Sequence, residues 1–127
     1  MSIKTLLTRI LEALSVDYIV EEGTDNGWTY VKWNSGIAEC WKWVTEDNLA
    51  MTTAEGYAYY SPNKTYPYPT GLFIGSPEAQ VSAECSGRLV TCHIDDNNQT
   101  NIHVYYSCSV SNTRKVYGHI SSKGRWK

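Results

Sequence analysis

Residues Gly27 to Val44 read GWTYVKWNSGIAECWKWV, and this stretch decides the fold of the chain. It contains four of the five tryptophans in the 127 residues. Asn34, Ser35 and Gly36 at its centre predict a tight turn, because Asn and Gly tolerate the positive φ angles of hairpin turns. The flanking residues are rich in Trp, Tyr, Val and Ile, which favour half-buried strands. The stretch therefore predicts a β-hairpin within a β-rich domain.

The rest of the composition indicates a single domain with no nucleic-acid or membrane partner. A chain of 127 residues is one domain's worth of sequence. The net charge is -2, from 11 basic and 13 acidic residues, and a domain without a basic stripe is not typical of nucleic-acid binding. No apolar run approaches the roughly 20 residues of a membrane-spanning helix. The ten tyrosines and single phenylalanine favour cross-strand pairs and wet binding surfaces.

The four cysteines are widely spaced and form no CxxC motif. The pattern predicts four small buried hydrophobic residues in a protein that is made in a reducing cytoplasm. A disulfide bond such as Cys85–Cys108 stays an alternative. The amino terminus also lacks the basic, apolar and small-residue pattern of a secretory signal peptide.

Residues 2–14 predict the one helix of the chain. Apolar residues recur there at spacings of four, three and four, which is the seam of a coiled coil, and Ser2 is a suitable amino-terminal cap. A helix of about 13 residues is marginal alone in water, so it must pack on its own sheet or on two or three copies of itself. We expect residues 1–15 to serve oligomerisation or attachment and residues 16–127 to form a β-sandwich. The predicted oligomer seam is Ile3, Leu7, Ile10 and Leu14.

The remaining chain has the rhythm of short strands separated by turns. Residues 16–20 predict a strand or linker, residues 21–27 a turn, and the polar residues 45–56 a loop. Three of the four prolines lie in residues 61–70, which predicts an extended surface segment. Such a pattern favours a mainly β fold, an antiparallel β-sandwich or jelly roll with a short amino-terminal helix. Further strands are predicted over 80–85, 88–94, 100–110 and 116–120.

The segment GWTYVKWNSGIAECW resembles the start of a carboxy-terminal β-rich domain found in fibre and minor structural proteins of tailed bacteriophages and prophages. YPYPTGLF at residues 66–73 and the final HISSKGRWK extend the resemblance over about residues 20–127. The resemblance implies a virion structural protein, assembled in the host cytoplasm as a homotrimer and contacting other virion proteins. It further implies a fibre tip or accessory adhesin, with the helix as stalk or docking piece.

Strand alternation places Trp41 and Trp43 on one face of the hairpin with Glu39. The small residues on the opposite face suggest close packing, so the two tryptophans are predicted in the core or in a subunit interface. A carboxylate among aromatic side chains needs a partner, because an unpaired buried charge is very costly. We predict an ion pair between Glu39 and Lys32, or between Glu39 and a basic residue of another subunit.

A cluster of aromatic residues around the prolines is the candidate ligand site. Aromatic rings stack on the apolar faces of sugars, and a neighbouring amide can bind hydroxyl groups. The alternative is a segment that packs back onto the sheet. The predicted glycan-binding residues are Tyr57, Tyr59, Tyr60, Asn63, Tyr66 and Tyr68.

Metal binding and catalysis are not expected. The three histidines and four cysteines form no ligand motif, although a symmetry axis can assemble a site from one histidine per chain. The chain has no GxSxG, HExxH or phosphate-loop motif, so we predict a protein that is not an enzyme and has no cofactor. The leading hypothesis is a trimeric phage adhesin for a host-surface glycan. The alternatives are an assembly or head/tail decoration subunit without a ligand, and a carbohydrate-binding module outside any virus.

Overall fold

The computed structural model describes residues 1–14 and 16–127, and its first element is the predicted helix. Helix α1 spans Ile3–Ala13, and the Ser2 hydroxyl accepts a hydrogen bond of 3.1 Å from the Thr5 backbone N–H. The predicted cap is therefore confirmed. Every residue of α1 is at least partly exposed, so the helix does not bury its apolar stripe on the sandwich.

Within the described residues, ten strands form two antiparallel sheets that pack face to face, which confirms the predicted β-sandwich. The first sheet, sheet A, has the order β1-β2-β3-β10-β7. In sheet B, β5 and β6 pair with successive parts of β9, β4 pairs with β5, and β8 pairs with β9. The strands are β1 (Ile19–Asp25), β2 (Trp28–Trp33), β3 (Ile37–Met51), β4 (Thr53–Glu55), β5 (Ala58–Tyr60), β6 (Lys64–Pro67), β7 (Glu78–Glu84), β8 (Val90–Asn97), β9 (Asn101–Cys108) and β10 (Asn112–Arg125).

The hairpin that opened the sequence is present, but two of its neighbours differ from the prediction. The predicted turn over 21–27 is wrong, because β1 continues to Asp25 and the turn is confined to Asn26 and Gly27, both at positive φ. The predicted loop over 45–56 is also wrong, because β3 continues to Met51 and is followed by β4. The partner that holds this second half of β3 is β10, which lies far away in the sequence.

The core between the sheets is built from the inward side chains of both. Trp28 is fully buried, and its indole N–H donates a 2.7 Å hydrogen bond to the Pro67 carbonyl oxygen. Full burial of a large apolar side chain stabilises the fold by roughly 1.5–3 kcal/mol. All four cysteines are free thiols, and burial raises the pKa of Cys40 to about 12. The largest fully buried side chains are Trp28, Tyr106, Phe73, Met51, Leu72, Ile102, Val104 and Val116.

The antiparallel order gives the sandwich two distinct ends. The start of β1, the β2–β3 turn and the end of β10 lie together at one end, which we call the helix end because α1 precedes β1 there. The Ser35 backbone N–H donates a 3.0 Å hydrogen bond to Asp17 and fixes the chain between helix and sheet. The β4–β5, β7–β8 and β9–β10 turns lie at the other end, the hairpin end. The 15 residues of β3 separate the two ends by about 50 Å.

Candidate functional site

Two of the six predicted glycan-binding residues lie in the core. Tyr66 and Tyr68 are only 6% and 2% exposed. The Tyr66 hydroxyl donates a 2.8 Å hydrogen bond to Glu46 and lies 2.9 Å from the Tyr106 hydroxyl. Burial in the core raises the pKa of Tyr66 far above its ordinary value and that of Tyr68 to about 12. Both rings are therefore neutral structural groups that connect the sheets, and neither is available to an external ligand.

Tyr66 and Tyr68 are buried because this segment contains strand β6, which its three prolines argued against at the level of sequence. Residues Lys64–Pro67 pair with β9, so that Tyr66 lies opposite Ile102 and faces the core. Tyr68 follows directly, and its hydroxyl donates a 2.7 Å hydrogen bond to Asn97 and contacts Ser122 at 2.8 Å. The segment thus packs back onto the sheet, which is the alternative that the sequence left open.

The other four predicted residues do not form one cluster either. Tyr57 is fully exposed at the tip of the β4–β5 hairpin. Tyr59 is half-buried and pairs with the buried Cys108, so it lies on the inner side of sheet B. Asn63 is exposed, and its amide donates a 2.7 Å hydrogen bond to Asp95. Tyr60 lies on the outer face of sheet B, where it borders a depression.

This depression, which we call the tyrosine pocket, is the candidate site on sheet B. Its volume is about 430 Å³, within the range of small-ligand sites. The rings of Tyr60 and Tyr105 meet edge to face, with centroids 5.5 Å apart and planes at 85°. Such a pair is rigid and leaves part of each apolar face open, because both residues are only half-buried. The pocket is lined by Glu55, Ala58, Tyr60, His93, Tyr105 and Ser107.

Hydrogen-bonding groups form the other wall of the tyrosine pocket. The Ser107 hydroxyl lies 3.0 Å from the His93 Nε2 atom and 2.7 Å from the Thr91 hydroxyl. His93 lies opposite Tyr105 in the β8–β9 register, and Tyr60 lies opposite Ser107 in the β5–β9 register. Three neighbouring strands therefore place aromatic faces beside polar groups, an arrangement suited to a ligand with both apolar and hydroxyl surfaces.

The predicted Lys32–Glu39 ion pair is not formed, and the register explains why. Lys32 lies opposite Ala38, whereas Glu39 lies opposite Val31, so the two charged side chains are on opposite faces of the hairpin. Lys32 instead contacts Glu21 on β1, with the Nζ and Oε2 atoms 3.2 Å apart. Glu39 pairs with Lys123 on β10 at 4.0 Å.

The residues predicted to form the oligomer interface are exposed in the single chain. Trp41 and Trp43 lie on the outer face of sheet A and are 45% and 56% exposed. The four residues of the predicted seam, on α1 and at its carboxy-terminal cap, are all exposed, with Ile3 the most open at 86%. A role for these surfaces in oligomerisation stays a prediction. The exposed seam consists of Ile3, Leu7, Ile10 and Leu14.

Within residues 1–14 and 16–127, no three His, Cys, Asp or Glu side chains are grouped so that they could hold a metal ion. No helix in this described part of the chain combines the length and the apolar character that crossing a membrane requires.

Comparison with known proteins finds solved structures of similar fold. No protein-family model matches the chain, and no curated protein sequence matches it. Among solved structures, an amino-terminally truncated R1-type pyocin tail fibre aligns with a TM-score of 0.64 at 12% identity, over 92% of this chain and 94% of that one. A carboxy-terminal fragment of the P. aeruginosa R1 pyocin fibre aligns with the same score and identity, over 90% of this chain and 30% of the fragment. The chain thus has the fold of a pyocin tail-fibre domain and spans about a third of the length of the longer fragment.

Proposed function

We propose that this protein is a tail-fibre-type structural protein of a phage or phage-like particle, assembled as a homotrimer and binding a host-surface glycan. One observation carries the proposal: the exposed apolar seam of α1 and the tyrosine pocket lie towards opposite ends of one long sandwich. A fibre tip needs this arrangement, with assembly at one end and recognition towards the other. The fold shared with the pyocin tail fibre supports the same proposal.

The seam of α1 is the proposed trimer contact. Its four apolar residues recur at the coiled-coil spacing, and all four are exposed in the described part of the chain. Burial of each Leu or Ile against two neighbouring helices would contribute roughly 1.5–3 kcal/mol. Because α1 has only 11 residues, it is marginal as an isolated helix, and association supplies the packing that it lacks.

The assembly test is the mass of the full chain in solution. We expect sedimentation velocity to give three times the chain mass of 14.4 kDa. The variant Leu7→Glu/Ile10→Glu places charges in the seam and should sediment as a monomer with the circular dichroism of the wild type. Arg9→Glu, a charge change on an exposed position of the same helix, is the control and should remain trimeric. A wild-type monomer, or a trimer that survives the double substitution, contradicts the proposal.

The tyrosine pocket is the proposed glycan site. Its two aromatic rings would stack on the apolar face of a sugar, while Ser107 and His93 bind hydroxyl groups. We expect the labelled trimer to bind selected members of an array of bacterial surface glycans. Tyr60→Ala and Tyr105→Ala should each weaken that binding about tenfold, which corresponds to about 1.4 kcal/mol. Ile74→Ala removes an exposed apolar side chain near the helix end and is the matched control.

The outcomes separate the proposed adhesin from its main alternative. A trimer that binds no glycan on the array would be an assembly or decoration subunit without a ligand. Binding that is unaffected by Tyr60→Ala would exclude the pocket while leaving the adhesin function intact. A monomer that binds glycans through the pocket would instead be a carbohydrate-binding module.

A further inference from the structure

The outer face of sheet A carries a second concave surface, distinct from the tyrosine pocket. Two adjoining depressions of about 340 and 320 Å³ share Trp41, Gln80 and Ser121 and form one continuous groove. We call it the tryptophan groove, and it crosses three neighbouring strands. It is formed by Trp41 and Trp43 of β3, His119 and Ser121 of β10, and Gln80 and Ser82 of β7.

Strand register gives the groove one aromatic wall and one polar wall. Ser121 lies between Trp41 on one side and Gln80 on the other, because β10 pairs with both β3 and β7. One step along β10, His119 lies between Trp43 and Ser82. The short Ser121 side chain forms the low floor between the taller side chains of its neighbours.

The aromatic wall is open to solvent, and its Trp43 ring is held in place by neighbouring side chains. Trp41 and Trp43 are about half exposed and project from the same face of β3, about 7 Å apart along the strand. The Trp43 ring meets His119 edge to face, with centroids 3.8 Å apart, and also packs at 5.7 Å against Tyr117. These neighbours hold the ring in place, so little side-chain entropy remains to be lost when a ligand binds.

The polar wall offers exposed hydrogen-bonding groups. The side chains of Gln80, Ser82 and Ser121 line the groove and are exposed, so their polar atoms are accessible to a ligand. The Gln80 amide offers both donors and an acceptor, and each serine hydroxyl offers both functions. Hydroxyl groups of a saccharide match this set, since they too donate and accept.

We propose that the tryptophan groove binds a neutral saccharide chain, with sugar rings stacked on Trp41 and Trp43 and their hydroxyl groups bound by Gln80 and the serines. The inference rests on the proposed adhesin function only for the source of the saccharide. It adds a second binding surface beside the tyrosine pocket. It also replaces the subunit contact that the sequence predicted for the two tryptophans.

Charge at the borders of the groove argues for a neutral ligand. Towards the helix end, Glu39 and Glu78 lie on either side of Lys123 in the strand register. Towards the hairpin end, Glu84 lies beside His119, with the carboxylate and ring nitrogen 3.4 Å apart. The acidic groups outnumber the lysine, so an anionic chain would be repelled.

The charge of the groove argues against a second copy of the chain as the occupant. Glu39, Glu78 and Glu84 border it, and this excess of acidic side chains would face its own copy across such an interface.

Nuclear magnetic resonance of the full ¹⁵N-labelled chain gives a direct test, because each tryptophan supplies one indole N–H signal. The probes are a set of neutral hexasaccharides, comprising glucose, galactose, mannose and N-acetylglucosamine chains, together with an anionic galacturonate hexamer. We expect a neutral chain to shift the signals of Trp41 and Trp43. The signals of Trp28 and Trp126 should not move, since both indole groups are hydrogen-bonded internally, at 2.7 and 2.8 Å.

Calorimetric titration with the neutral chain that binds then measures each wall of the groove. Trp41→Ala should weaken binding at least tenfold, Gln80→Ala about threefold to tenfold, and the galacturonate hexamer should bind at least tenfold more weakly than the neutral chain. Leu89→Ala, which removes an exposed apolar side chain outside both the tryptophan groove and the tyrosine pocket, should leave this binding unchanged and is the matched control.

Three results would overturn the inference. The first is that no neutral hexasaccharide binds saturably. The second is that Trp41→Ala does not weaken the binding. The third is a lower sedimenting mass for Trp41→Ala, which would identify the face as a subunit interface. Because trimer formation through α1 and binding in the tyrosine pocket are measured with other variants, loss of the groove alone would leave the proposed function standing.

Discussion

Gly118→Ala is the substitution whose effect follows most directly from the packing of the core. Gly118 is buried in β10 and lies opposite Val44 on β3. A Cβ atom at this position would collide with the Tyr106 hydroxyl oxygen and lie 3.3 Å from two carbons of the same ring. That hydroxyl is 2.9 Å from the Tyr66 hydroxyl and cannot move without losing this hydrogen bond. The added methyl group therefore meets a side chain that is fixed on both sides.

The expected loss of stability is about 1–3 kcal/mol. Overpacking of a core typically costs about 1–3 kcal/mol, and a disrupted hydrogen bond costs about 0.5–1.5 kcal/mol. Replacement of glycine by alanine in the unfolded chain offsets part of this loss, by about 0.5–1 kcal/mol. Gly75→Ala is the matched control, because a Cβ atom there meets open space and its φ is not positive. The control should change stability by less than about 1 kcal/mol.

A double-mutant cycle with Tyr106→Phe tests the assigned cause. Tyr106→Phe alone should cost only about 1 kcal/mol, because Tyr66 keeps its 2.8 Å hydrogen bond to Glu46. In that background Gly118→Ala should cost at least about 1 kcal/mol less than in the wild type, since the oxygen in its path is gone. Guanidinium unfolding at one fixed protomer concentration measures all four proteins. If the two changes add within about 0.5 kcal/mol, the Tyr106 oxygen is not what excludes a side chain at Gly118.

Two further predictions concern pH. Burial raises the pKa of Cys40 from 9.0 and of Tyr68 from 10.0, each to about 12, so the folded chain keeps protons that the unfolded chain has lost. The free energy of unfolding should fall as pH rises from about 9 to 12, by up to about 1.4 kcal/mol per pH unit for each group. Urea unfolding midpoints that do not change over this range would contradict the prediction. Hydrogen bonds from Ser35 lower the pKa of Asp17 below 3.8 in the folded chain. The ionised Asp17 therefore stabilises the fold above pH 3.8, and this stabilisation is lost as pH falls through the folded pKa. Asp17→Asn should therefore reduce the drop in Tm between pH 5 and pH 3.

The parts of the fold that were predictable from sequence are those with local signals. Gly36 adopts the positive φ that the hairpin turn requires, and the Ser2 side chain forms the helix cap. The second half of β3 has no such signal. Its residues Thr45–Met51 are mostly polar, and they form a strand because β10, more than 60 residues later, supplies the hydrogen-bonding partner. Pairings of this kind are set by the whole chain.

The candidate sites show the same division. Tyr60 was predicted from its local sequence, yet its partners in the tyrosine pocket come from β8 and β9, which are adjacent only after folding. The alternation that faces Ile102 and Val104 inward does place Tyr105 outward, and this is the signal from which the pocket residue can be found. The prolines around Tyr66 predicted an extended surface segment, and they did not predict strand β6. The strand forms all the same, because a proline at a strand end removes no hydrogen bond that the sheet needs.

The face of sheet A on which each tryptophan lies connects the fold to the proposed function. Trp28 lies on the inner face of sheet A and Trp41 and Trp43 on the outer face, although all three belong to one aromatic stretch. A shift of one residue in the register of β3 against β10 would exchange Trp41 for the buried Cys40 and place charged Lys42 on the outside. The Trp28 indole is tied to Pro67 in the opposite layer, which fixes the position of β2 and, through the hairpin, of β3. The core tryptophan thus helps to keep Trp41 and Trp43 on the surface, where the proposed saccharide would contact them.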